Sequence, residues 1–248
     1  MPYDKHEKEY VVHYFEVDWN AELRFGALLD FLQDTAGEDA VRRGFGVEQL
    51  LPRGLTWMLS RYRIRLGSIV ALGDRLKIRT WPSIHKGLSA CREFEIYCNG
   101  ILIGAASTAW MLIDLESRRP VRPKEKLGEV FLINEQVFSE PLAAIKFSTE
   151  MTAAQGFKVR RADLDLNRHV NNRVFFDWAI ESLNDEVVNT WRLQQVDINY
   201  LGEALAGDEV LTASSCLPTT DGLLCSHQID RATDQKNLAK LQTLWALR

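Results

Sequence analysis

The sequence is short of the features that mark a specialised class. No apolar run approaches the roughly 20 residues a helix needs to cross a bilayer, which excludes a helical membrane span. The opening residues, MPYDKHEKEYVV, carry no apolar segment of the secretory kind, so a cytoplasmic protein is expected. A basic excess is also missing. The 30 Lys and Arg stand against 34 Asp and Glu, a formal charge of -4, which argues against nucleic acid as the partner. Cysteine is scarce, and Cys91, Cys98, Cys216 and Cys225 show no CxxC spacing. In a reducing compartment they are expected as buried small hydrophobes rather than disulfide or metal ligands.

What is present reads as an ordinary globular protein. Its 248 residues, 46% hydrophobic and 26% charged, suffice for one large domain or two of roughly 120 residues. Residues 10–17 alternate loosely as a strand. Phe25, Leu28, Leu29 and Leu32 then recur at the spacing of an amphipathic helix, which runs to about Arg43 and ends near Gly44. The segments 56–66, 74–81, 90–98 and 101–114 are rich in β-branched and aromatic residues. Asn99-Gly100 between the last two is a hairpin signal.

The same order of features then recurs. Asp18-Trp19-Asn20 and its helix are matched by Asp165-Leu166-Asn167 and the apolar run Val174-Phe175-Phe176 through Trp178. Gly73-Asp74 is matched by Gly207-Asp208, and Thr108-Ala109-Trp110 by Thr243-Leu244-Trp245. A duplicated unit of strand, long helix and several antiparallel strands predicts an α+β protein with two long helices, each packed on an antiparallel sheet. The units are expected at 1–125 and 156–248. Between them, 126–155 is a connecting segment, punctuated by proline and apolar enough to pack on the surface.

Groups able to do chemistry concentrate in Asp163 through Asn172. Asp165, Asn167 and His169 alternate there and share one side of an extended segment. Oxygen ligands at alternate positions invite a calcium loop. Counted from Asp163, however, Arg168 stands where that loop needs Gly and Val174 where it needs Glu. Zinc lacks a second His or a Cys nearby. No metal is expected. Asp165 and Asn167 also fit simple helix capping, and Asp18 and Asn20 recur in the first copy, so part of their use is architectural. His169 is what differs, because Glu22 replaces it in the first copy. An imidazole beside a carboxylate and an amide at a helix start is placed to handle a proton near neutral pH. The backbone N–H groups of that start also offer a site for a developing oxyanion.

The block D-x-N-x-H-V-N-N, followed by an aromatic-rich helix through Trp178 and Glu181-Ser182, resembles the plant-type fatty acyl-acyl carrier protein (ACP) thioesterases. The likeness extends to Gly54-Leu55-Thr56-Trp57, Asn99-Gly100 and Arg119-Pro120-Val121-Arg122, and so covers nearly the whole chain. The plant transit peptide is missing, so a bacterial member is expected. The resemblance implies a tandem (double) hot-dog fold. It also implies hydrolysis of fatty acyl-ACP in fatty acid biosynthesis, releasing free fatty acid and holo-ACP without a cofactor.

The family's catalytic roles fall on Asp165, Asn167 and His169, and on a further strand residue, Glu203, whose first-copy counterpart is Ile69. Many plant members have Cys after that Glu, but here the position is Ala204, so water is the expected nucleophile. Glu203 and His169 would activate it, Asn167 position it, and Asp165 hold the other two. The first copy is expected to supply the acyl-chain pocket. Leu28, Leu29, Leu32, Trp57 and Met58 are its candidate lining, although each also fits an ordinary core. Asn172 is placed with the substrate-binding residues. The implied partner is ACP bearing a phosphopantetheine-linked acyl chain, and Arg42, Arg43, Arg118, Arg119, Arg122, Lys124, Arg160 and Arg161 are candidates to meet its acidic surface. Monomer and homodimer both fit. The alternatives are an acyl-CoA thioesterase and a hot-dog hydratase or dehydratase, the latter leaving Asn167 and Glu203 without a task. A non-catalytic acyl-thioester binding module would be expected to lack part of this set.

Overall fold

The periodicity at Phe25, Leu28, Leu29 and Leu32 folds as helix α1 (Phe25–Arg42), which turns Leu28 and Leu32 fully inward. It stops where Gly44 takes φ +81°, the left-handed conformation that glycine reaches without a Cβ clash. The computed structural model describes residues 4–128, 130–146, 151 and 153–248. The chain divides into two units, Met1–Leu142 and Ala143–Arg248.

In the first unit, α1 lies against an antiparallel sheet of β1 (His6–Val11), β2 (Leu55–Leu66), β3 (Arg75–Lys86), β4 (Ser89–Cys98) and β5 (Ile101–Asp114), in the order β1-β3-β4-β5-β2. The short β6 (Arg119–Val121) pairs with β5, and α2 (Val47–Leu50) and α3 (Pro123–Leu127) are single turns. Asn99 and Gly100 both take positive φ between β4 and β5, as a tight hairpin turn requires. The strand expected at 10–17 is displaced: β1 covers His6–Val11, and Tyr14–Glu16 forms a 3-10 turn. The charged sequence HEKEYV hid it, since an edge strand carries charge on its solvent side. After α3 the chain packs back on this unit: Trp81 Nε1 donates to the Glu135 carbonyl (2.9 Å) and Ile133 N to the Pro82 carbonyl (2.9 Å).

The second unit repeats the plan with β7 (Ala153–Lys158), α4 (Asn172–Glu181), α5 (Asp185–Thr190), β8 (Trp191–Tyr200), β9 (Glu209–Thr219), β10 (Gly222–Arg231) and β11 (Asn237–Leu247), in the order β8-β11-β10-β9-β7. Val174, Phe175, Phe176, Trp178 and Ala179 are the buried residues of α4. Burying each of the larger ones contributes about 2–3 kcal/mol, which holds α4 on the sheet. Beneath it runs a chain of polar groups. Ser182 Oγ meets Ser214 Oγ, which lies 2.8 Å from His227 Nδ1, and His227 Nε2 lies 2.9 Å from Thr243 Oγ1.

The cysteine expectation needs one correction. Cys91 and Cys98 are free, but Cys216 and Cys225 form a disulfide between β9 and β10. The two stand directly opposite each other in the antiparallel register, a proximity that spacing rules for CxxC motifs do not detect. Among the described residues no helix is long and apolar enough to cross a membrane.

Candidate active site

The chain enters α4 through a loop closed by one of its own side chains. Asp165 Oδ1 accepts the backbone N–H of Asn167 (2.8 Å) and of His169 (3.2 Å). Asp165 N donates to the His169 carbonyl (2.8 Å) and Arg168 N to the Asp165 carbonyl (3.0 Å), while Arg168 takes φ +62°. Aspartate favours such turns because its short side chain can reach backbone groups just ahead of it. The helix cap is a different residue: Asn171 accepts the N–H of Arg173 (2.9 Å). Asp165 therefore shapes the loop and leaves the helix end to Asn171. Upstream, burial pushes the Asp163 carboxyl up, but hydrogen bonds from Arg160 outweigh it and hold it below its ordinary value.

The loop docks along the 203–205 segment. Val170 N donates to the Ala204 carbonyl (2.9 Å), and His169 forms an isolated bridge with Leu205. This pairing brings together two residues far apart in sequence: His169 Nδ1 lies 3.6 Å from Glu203 Oε1, with 32% and 42% of their side chains exposed. The gap exceeds a hydrogen bond, and a small side-chain rotation would bring the two into hydrogen-bond reach. Arg231, which the sequence reading missed, fixes the far side. Its Nη2 donates to the Glu203 carbonyl (2.6 Å), and its guanidinium pairs with Asp208 (3.3 Å) and Asp234 (3.1 Å). No sequence motif announces a contact to a backbone carbonyl.

Asn167 is exposed in the turn that the left-handed Arg168 closes, so it and His169 do not alternate along an extended segment as expected. Asn172 opens α4, and its carbonyl accepts the hydroxyl of Tyr200 (3.1 Å), whose phenol burial pushes upward. In the first unit, Leu28, Leu29 and Leu32 belong to the buried face of α1. Trp57 packs against Leu50, Leu55 and Leu112 and donates to the Phe45 carbonyl (3.0 Å), and Met58 is half-buried on β2. Of the basic candidates, Arg42 pairs with Asp4 and Arg43 with buried Asp39.

The first unit carries the same loop without the same chemistry. Asp18 Oδ1 accepts Asn20 N (2.8 Å) and Glu22 N (3.0 Å), Ala21 takes φ +59°, and Glu22 bridges Ala71 as His169 bridges Leu205. Where the second unit has His169 and Glu203, this one has Glu22 and Ile69. Among the described residues no group of three His, Cys, Asp or Glu could hold a metal ion.

Residues 3–131 match the acyl-ACP thioesterase N-terminal domain, and residues 147–247 match the acyl-ACP thioesterase C-terminal domain. The chain belongs to the acyl-ACP thioesterase family. It is 25% identical over 228 residues to the chloroplastic oleoyl-acyl carrier protein thioesterase 2 of Arabidopsis thaliana, covering 83% of this chain and 61% of that protein. It thus spans about three-fifths of that relative's length. A putative oleoyl thioesterase from Lactobacillus plantarum shares the fold with a TM-score of 0.88 at 24% identity, covering 98% of this chain and 96% of that one. The 12:0-ACP thioesterase from Umbellularia californica does so with a TM-score of 0.87 at 19% identity, covering 98% and 94%. The shared fold is the double hot-dog, one helix-on-sheet unit followed by another.

Proposed function

We propose that this protein hydrolyses the thioester joining a fatty acyl chain to the phosphopantetheine arm of ACP, releasing free fatty acid and holo-ACP. The observation that carries the reading is the approach of His169 to Glu203. It occurs in the unit holding the D-x-N-x-H block, and the equivalent positions of the first unit have no imidazole.

Glu203 and His169 take a proton from a water that Asn167 positions, and Asp165 holds the loop that aims both side chains. The water oxygen bonds to the thioester carbon. The carbonyl oxygen gains negative charge near the N-terminal end of α4, where the helix dipole favours it. The carbon–sulfur bond then breaks and the proton passes to the leaving thiolate. No cysteine takes part, because Ala204 follows Glu203. Each acid–base contribution of this kind is worth about 10²–10⁴-fold in rate.

The acyl chain is assigned to the first unit, with Leu28, Leu29, Leu32, Trp57 and Met58 as lining and Asn172 near the reacting end. A cytoplasmic setting, where ACP is at hand, goes with this reading. Incubation with a series of defined acyl-ACPs tests it, with released fatty acid and holo-ACP as the readout. Intact acyl-ACP at every chain length overturns it. Faster turnover of matched acyl-CoA transfers the assignment to that substrate class, and hydration of a crotonyl thioester to a hydratase.

A further inference from the structure

Glu203 lies in a short segment held between two others. On one side His169 bridges Leu205 and Val170 N reaches the Ala204 carbonyl. On the other, Leu201 N (2.8 Å) and Gly202 N (3.1 Å) both donate to the Leu238 carbonyl, next to the turn between β10 and β11. Each flank carries an exposed cation. Arg168 stands between Asn167 and His169 in the catalytic loop, and Lys236 in the turn. A Cβ built on Gly202 would lie 3.5 Å from Lys236 Cε, which places the lysine stem alongside the residue that precedes Glu203.

Among the described residues, no carboxylate or hydrogen-bond acceptor partners the Arg168 guanidinium or the Lys236 ammonium, and the nearby acids are committed elsewhere. Asp163 pairs with Arg160, and Asp208 and Asp234 pair with Arg231. The turn itself does not call for arginine, since the same left-handed position in the first unit is Ala21. A chain of net charge -4 thus presents uncompensated positive charge on both sides of its reacting carboxylate. That arrangement suits an anionic group on the substrate. An arginine offers a planar fork matched to phosphate oxygens, and a lysine adds a mobile point charge.

We infer that Arg168 and Lys236 hold the phosphate of the phosphopantetheine arm while its thioester reaches His169 and Glu203. The inference rests on the thioesterase reading proposed above. The arm is a long chain with two amide groups between thioester and phosphate, so a thioester at the partly exposed dyad leaves its phosphate at the surface, where Arg168 and Lys236 are both exposed. ACP and coenzyme A both carry this phosphate, and pantetheine lacks it. The two cations are therefore specificity residues for any phosphopantetheine thioester and take no part in the bond cleavage.

The test compares kcat/KM on acyl-ACP, acyl-CoA, acyl-phosphopantetheine and acyl-pantetheine of one chain length. The enzymes are wild type, Arg168→Gln, Lys236→Gln and the double variant. Wild type is expected to prefer acyl-phosphopantetheine over acyl-pantetheine by about tenfold, as one well-placed charge-assisted contact gives. In the double variant that ratio falls close to one, chiefly through KM, and Arg168→Lys restores part of it. High salt erodes the wild-type preference, because both cations are exposed. Four results overturn the inference: no wild-type preference for phosphate, an equal loss on all four substrates, a loss confined to acyl-ACP, or no loss at all. The third would point to the carrier's protein surface. A wild-type enzyme that hydrolyses none of the four sinks the thioesterase reading itself and this inference with it, an outcome distinct from normal hydrolysis indifferent to phosphate.

Discussion

Asp18 and Asp165 do the same job in the two units: each directs one carboxylate oxygen at the backbone N–H groups two and four residues ahead, at 2.8 and 3.0 Å in one case and 2.8 and 3.2 Å in the other. Only the second loop carries the histidine. Asp18→Ala and Asp165→Ala should therefore cost similar stability, about 1–2 kcal/mol for a lost turn acceptor, measurable by urea unfolding. Asp165→Ala should in addition lower acyl-ACP turnover at least about tenfold, whereas Asp18→Ala keeps it. Equal activity in the two variants would remove Asp165 from the account.

Acid sensitivity is expected from His227. It is fully buried, and burial lowers its pKa from 6.5 to about 3, so the folded protein keeps it neutral across a range where the unfolded chain takes up a proton. With more protons bound unfolded than folded, stability falls as pH falls from about 6.5 toward 3. Between pH 7 and pH 5 the loss amounts to about 2 kcal/mol. Replacing the residue by His227→Gln should flatten that difference, and the readout is the change in unfolding free energy between the two pH values for each protein. A wild type and variant with parallel pH curves would contradict it.

The disulfide between Cys216 and Cys225 predicts a thiol count. Denatured without reductant, the protein should expose two reactive cysteines, Cys91 and Cys98, and four after reduction. The bond closes a loop with a sequence separation of 9, so its loss should cost about 2–3 kcal/mol on the chain-entropy estimate. Four reactive thiols without reductant would show the pair to be open.

Much of this was legible because it is local. The helix from Phe25 follows from apolar spacing, and the hairpin at Asn99-Gly100 from two residues that tolerate positive φ. The repeat was visible because an aspartate that must reach forward to particular N–H groups leaves the same letter in both copies. Glu203 was different. Its partner His169 is distant in sequence, and its counterpart Ile69 carries no matching group, so the family resemblance alone pointed to it.

The disulfide was readable but overlooked. Asp221-Gly222 is a hairpin signal, and pairing Thr219 with Gly222 sets Cys216 opposite Cys225. Arg231 left no trace, since its contact with Glu203 is to a main-chain oxygen whose sequence context any residue could supply.

The central claim is that His169 and Glu203 together activate the water that cleaves an acyl-ACP thioester. Steady-state turnover of a medium-chain acyl-ACP by wild type, His169→Ala and Glu203→Ala, each verified as folded by circular dichroism, tests it most directly. The account predicts that each variant loses at least about tenfold in kcat while retaining the wild-type spectrum. Wild-type turnover by both folded variants would contradict it.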